Sequence, residues 1–165
     1  MKTLLFLTLV TIGSVITARA RAEAEPRKMK IAVDEKVFTA TIEKSDTAAA
    51  FVALLPLTVA MHDVNRNEKA YDLPARLPSA DASPRTIQAG DLMLWSSRTV
   101  VVFYKSFSTS YSYTRLGRVD DPAGLAEALG TGDVTVKFEQ PEKRRAAISA
   151  PECGETHCHQ TDRNN

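Results

Sequence analysis

The sequence predicts a mainly β domain, a closed antiparallel barrel with two short helices, on three observations. Apolar residues recur with a two-residue period in several stretches between Lys30 and Glu139. Two short segments carry the punctuation of helices. Strands and helices do not alternate regularly, as a parallel sheet would require.

The elements follow in order. "KIAVDEKVFTATIE" alternates Ile31 and Val33, then Val37 or Phe38 with Ala40 and Ile42, around Asp34-Glu35-Lys36, and reads as a hairpin. "SDTAAAFVALLP" offers Ser45 or Asp46 as a cap, an inward side built from Phe51, Val52, Leu54 and Leu55, and Pro56 as a stop. "LTVAMHDV" is a strand with Leu57, Val59 and Met61 on one face and Thr58, Ala60 and His62 on the other. From Asn65 to Gly90 the chain is polar, with Pro74, Pro78 and Pro84, and predicts a long loop with a short extended piece near Tyr71.

"GDLMLW" and "TVVVFY" are apolar on both faces and form a central hairpin around Ser96-Ser97-Arg98, with Trp95 placed in the core or showing one edge at the barrel rim. In "FYKSFSTSYSYTRLG", Phe107, Thr109, Tyr111, Tyr113 and Arg115 alternate with Ser106, Ser108, Ser110, Ser112 and Thr114, which predicts a strand with an aromatic and a hydroxyl face. "DDPAGLAEALG" has Asp121 as cap, Pro122 at the first helical position, Leu125, Ala128 and Leu129 inward, and Gly130 as stop. "GDVTVKFE" closes the domain as a half-buried strand.

The ends have a different character. Residues 1–24 combine Lys2, an apolar run from Leu4 to Ile16 and small-x-small triplets from Ala18 to Ala24, the layout of a cleavable secretory signal. That run is short for a membrane span, so the mature protein is expected to be exported, periplasmic or secreted, with no stable membrane segment. A cut after Ala20 removes Lys2 and Arg19 and takes the formal charge from +1 to −1, which gives no electrostatic case for nucleic acid. Residues 140–165 read as a polar tail. In it Cys153 and Cys158 suit a small disulfide loop, while Cys153, His157, Cys158 and His159 offer a second reading as metal ligands without standard zinc spacing. No cofactor is expected, and the oligomeric state is left open.

"DTAAAFVALLP", "GDLMLW" and "VVFYKSFSTSYSYTRLGRVDDPAGLAEALGTGDVTVKFE" together resemble the bacterial cyclophilin-like domain proteins over residues 30–139. The resemblance implies a cyclophilin-like barrel and no settled activity. Towards the true cyclophilins, which are peptidyl-prolyl isomerases, the order of elements agrees but the catalytic pattern does not. The Phe-His-Arg-Ile strand is missing, and only Gly90-Asp91 stands for the Gln-Gly-Gly-Asp segment. Tyr113 falls near the histidine of that pattern, and Ser108 near its tryptophan.

The expected function is therefore binding of a peptide or small ligand, with weak or specialised prolyl isomerisation, or metal binding through the tail, as alternatives. Catalysis of isomerisation needs a dry proline pocket and a donor aimed at the twisted amide, and Arg98, Arg115 and Arg118 are the candidate stand-ins for the missing arginine. The candidate ligand-binding residues are Tyr104, Phe107, Tyr111, Tyr113 and Arg115, which serve equally well as cross-strand pairs that hold the sheet. No catalytic residue is identified.

Overall fold

A computed structural model describes residues 27–140, so the expected signal segment and the tail with its cysteines and histidines lie outside the described residues. The chain builds β1 (Lys28–Val33), β2 (Lys36–Ile42), α1 (Asp46–Val52), β3 (Leu57–Val64), β4 (Glu68–Asp72) and β5 (Thr86–Ile87). There follow β6 (Asp91–Trp95), β7 (Thr99–Phe103), β8 (Phe107–Ser108), β9 (Thr114–Val119), α2 (Leu125–Leu129) and β10 (Val134–Glu139). Eight strands close a barrel in the order β1-β10-β3-β4-β7-β6-β9-β2, every pair antiparallel, and β5 with β8 forms a separate two-stranded flap. The expected fold class is the one observed.

The two-residue period explains the barrel core. Met29, Ile31 and Val33 alternate inward on β1, as do Val59 and Met61 on β3 and Val136 and Phe138 on β10. On β2 the inward set is Ala40 and Ile42, while Val37 is exposed. Ser45 caps α1, its hydroxyl accepting from the Ala48 amide at 3.1 Å, and Phe51 meets the ring of Phe138 edge-on at 5.6 Å. Gly117 has a packing role at the β2–β9 seam, because a Cβ there would run into the Thr41 carbonyl oxygen.

Four expectations are corrected. The short extended piece expected near Tyr71 is more than that: Glu68–Asp72 is a full barrel strand between β3 and β7. Its polar sequence hid it, because the residue it buries deepest is Lys69. The serine-rich stretch is not one continuous strand; it pairs at Phe107–Ser108, leaves the sheet, touches Ala82 at Tyr113 and rejoins the barrel at Thr114. Leu54 is exposed beyond the end of α1, whose buried side is Thr47, Ala48 and Phe51. Asp121 accepts from the Ala123 amide at 3.0 Å and so closes the turn before α2, whose own N-cap is Gly124 with φ 75.

The apolar double face of β6 and β7 has a direct cause. Leu92, Leu94, Val100 and Val102 fill the barrel, whereas Met93, Val101 and Phe103 point outward into a second cluster with Ile87 and Tyr113 beneath the flap. Phe103 packs against Phe107 at 5.8 Å and edge-on against Tyr113 at 5.5 Å, pairs worth about 0.5–1.5 kcal/mol each beyond their buried area. The flap is thus fastened to the outside of the barrel, and a hollow is left beside it.

Candidate ligand-binding cleft

The hollow, about 490 Å³, lies on the outer face of β3, β4 and β7 and is closed on the far side by residues 107–113. Outward positions of the strands form its floor: His62 on β3, Glu68, Ala70 and Asp72 on β4, and Thr99 and Val101 on β7. Its walls are aromatic, made by Trp95 at the end of β6 and by Phe107, Tyr111 and Tyr113. Trp95 is 47% exposed and Tyr111 64% exposed, an unusual amount of large apolar surface for two residues that share one concavity. Trp95 is therefore not in the core. It sits at the mouth of the β6–β7 turn, where Ser96 and Ser97 take positive φ and Arg98 donates its amide to the Trp95 carbonyl.

The irregular chain between β8 and β9 is held in place by its own hydroxyls and backbone. The Thr109 amide donates to the Arg85 carbonyl, the Tyr111 amide donates to Thr109 Oγ1, and Tyr113 exchanges both backbone bonds with Ala82. Side chains of this segment can therefore be presented without a sheet on both sides.

The five expected ligand-binding residues separate into three places. Phe107, Tyr111 and Tyr113 line the cleft. Arg115 lies in a smaller neighbouring hollow of about 350 Å³, which shares Tyr113 as a wall. An extra residue at Leu116 shifts the β6–β9 register, so that Arg115 and Arg118 both point outward and flank the buried Asp91 at 3.6 and 3.8 Å. Asp91 also accepts from the Gln88 amide at 2.9 Å, making it a buried hub of the sheet as well as a turn residue.

Tyr104 is inside. Its hydroxyl donates to Asp63 Oδ2 at 2.8 Å, and the Lys69 ammonium donates to the same oxygen at 2.7 Å and to the Gly132 carbonyl at 2.6 Å. Burial and the hydrogen bond to an anion push the Tyr104 phenol up to about 12. The Lys69 bond holds the Asp63 carboxyl below its ordinary range, against the opposing effect of burial.

Glu68 lies next to Lys69 in sequence but on the cleft side. Burial pushes its carboxyl up to about 7, and the negative charge of Asp63 adds to the shift. Among the described residues no donor hydrogen-bonds to it and no lysine or arginine pairs with it. Asn67 is a second orphan: its Oδ1 is buried without a hydrogen-bond partner in the same wall. Sequence reasoning missed Glu68, Asn67 and Trp95 as site residues. The available signal was the Asn65-Arg66 pair, since both residues take positive φ and make the tight β3–β4 turn that sets the register of β4.

Comparison with known proteins agrees with this architecture. A model of the cyclophilin-like family matches residues 31–139. Among solved structures, the hypothetical protein AF2241 from Archaeoglobus fulgidus is similar at 13% identity and a TM-score of 0.49, over 70% of this chain and 95% of that one. McbB, solved in complex with tryptophan, is similar at 12% identity and a TM-score of 0.51, over 70% of this chain and 45% of McbB. No curated protein matches the chain.

Proposed function

The chain belongs to the cyclophilin-like family, and from that premise we propose that it is a ligand-binding member whose outer cleft takes an extended peptide or a small molecule with an apolar body. One observation carries the reading: Trp95 and Tyr111, both largely exposed, line the same 490 Å³ concavity. Exposed rings cost solvation that a ligand recovers, and a concave aromatic site with a few polar groups is the usual form of a small-ligand pocket. The second hollow, joined through Tyr113, lets an extended ligand continue toward Arg115.

Prolyl isomerisation is the competing use of such a surface. It would need a fixed donor over the proline, and the polar side chains in this cleft are His62, Asn65, Asn67, Glu68, Asp72 and hydroxyls with no arginine among them, whereas Arg115 opens on the neighbouring hollow. A binding role without isomerisation therefore has the better support. The signal-like residues 1–24 favour an exported setting, which amino-terminal sequencing of the mature protein tests.

Trp95 is the only tryptophan and reports on the cleft directly. Tetrapeptides with a central aromatic residue, with and without proline, are expected to shift its fluorescence saturably. Tyr111→Ala is expected to weaken them about tenfold, the loss of one aromatic contact with a bound ligand. No shift at millimolar peptide, or an affinity that Tyr111→Ala leaves unchanged, overturns the reading. Acceleration of proline isomerisation in the same peptides would replace it with the enzymatic one.

A further inference from the structure

We propose that the ligand of this cleft carries a protonated amine, held by the Glu68 carboxylate among the faces of Trp95 and Tyr111. The inference rests on the cleft being the binding site and adds the chemistry of its occupant. Three observations lead to it. Glu68 is half-buried and unpaired among the described residues, although a carboxylate removed from water is stabilised only by a cation or donors. Asn67 Oδ1 is a second acceptor without a donor, on a residue that lines the same cleft. The walls present aromatic rings, whose negative faces attract cations and give nothing to anions.

The charges of the lining agree. No lysine or arginine lines the cleft; its ionisable groups are His62, Glu68, Asp72, Tyr111 and Tyr113. Asp72 accepts from Thr99 Oγ1 at 2.6 Å and is exposed, whereas Glu68 is half-buried and accepts from no donor among the described residues. Arg115 is turned to the other hollow and engaged with Asp91. A neutral donor would give Glu68 a hydrogen bond but leave its charge uncompensated, and an anionic ligand would be repelled.

The binding step balances as a proton exchange. Below about pH 7 Glu68 holds a proton, and capture of an ammonium ion sends that proton to solvent while the amine keeps its own. The charged and titratable groups around Glu68 are Asp63 and Tyr104 behind it, Arg66 from the turn, His62 and Asp72 along the floor, and Tyr113 from the wall. Of these, His62 is the imidazole, and its replacement serves as the control.

The probes are phenethylamine, 2-phenylethanol and phenylacetate, which share an aromatic body and differ in charge. Their binding is read by Trp95 fluorescence and calorimetry on the full chain. The amine is expected to bind about ten- to thirty-fold tighter than the alcohol at pH 8, with phenylacetate weakest, as a charged hydrogen bond plus a cation over a ring would give. Glu68→Gln, isosteric with the protonated acid, is expected to bring amine and alcohol to within about threefold while the alcohol keeps its affinity. Amine affinity should fall severalfold from pH 8 to pH 5.5 in wild type and in His62→Gln, but not in Glu68→Gln.

Equal binding of amine and alcohol, or a preference that survives Glu68→Gln, overturns the amine assignment and leaves the cleft as the site. A pH dependence abolished by His62→Gln assigns the charge effect to the imidazole and overturns the role of Glu68. Failure of all three probes to reach Trp95 overturns the cleft reading as well.

Discussion

Glu68 and Lys69 are adjacent residues with opposite outcomes. Strand β4 alternates, so Lys69 points into the end of the barrel and Glu68 points out into the cleft. Inside, the charge is completely matched: Lys69 has no exposure, two oxygen acceptors within 2.7 Å, and the ring of Tyr104 at 5.6 Å. Outside, the charge is half-hidden and has no partner among the described residues. A buried polar group with every partner supplied ties elements together, whereas one with none marks a place where something else is expected to supply it. The same strand therefore carries a structural clamp on one face and a recognition group on the other.

The clamp is the place where a single change should do most damage. Lys69 joins β4 to Asp63 on β3, through Asp63 to Tyr104 after β7, and to Gly132 before β10. Lys69→Met keeps the volume and removes the cation, leaving Asp63 and the Gly132 carbonyl short of a donor. The expected loss is about 3–5 kcal/mol in denaturant unfolding, the usual cost of breaking a buried pair by removing one partner. A loss below about 1 kcal/mol would show that water reaches Asp63 and that the contrast between the two faces is false.

The two carboxyls flanking this turn should move stability in opposite directions with pH. Asp63 titrates lower folded than unfolded, so its contribution is present above its ordinary value near 3.8 and is lost as the pH falls through the folded value. Glu68 titrates higher folded than unfolded, so the folded state loses ground as the pH rises from about 4.5 to about 7. Glu68→Gln is therefore expected to match wild type near pH 4 and to be more stable by about 1 kcal/mol at pH 8, a figure reduced for solvent screening at a half-exposed site. Asp63→Asn should instead flatten the acid limb. Thermal unfolding across pH 3–8 checks both, and a Glu68→Gln variant less stable than wild type at pH 8 would mean that the carboxylate is paired after all.

The barrel was largely legible because its residues follow the period of the sheet. Ile31, Val33, Val59, Met61, Val136 and Phe138 alternate as a half-buried strand must, and each is inside. What was hidden follows a different physics. Glu68–Asp72 carries no apolar alternation because its inward residue is a lysine paid for by partners distant in sequence. Tyr104 and Phe107 lie three residues apart, yet a break between β7 and β8 puts one against Asp63 and the other beside the cleft. Counting in twos puts Arg115 on the aromatic face, but the chain leaves the sheet after Ser108 and rejoins it at Thr114, and Arg115 opens on the neighbouring hollow. Pairing partners and bulges are properties of the closed barrel, and local spacing does not carry them.

The smallest expected effect sharpens the comparison most. Tyr111 is 64% exposed and its segment is held by the backbone bonds of Thr109 and Tyr113 and by the Thr109 hydroxyl, none of which uses the Tyr111 ring. Tyr111→Ala should therefore change unfolding free energy by less than about 0.5 kcal/mol, the range of ordinary surface substitutions. Phe107→Ala offers the internal contrast, since its ring packs on Phe103 and its loss should loosen the flap. If Tyr111→Ala destabilises as much as Phe107→Ala, the ring is holding the flap and its exposure has no recognition role. If it leaves stability intact while peptide affinity falls, Tyr111 belongs with Glu68, among residues whose partner comes from outside the chain.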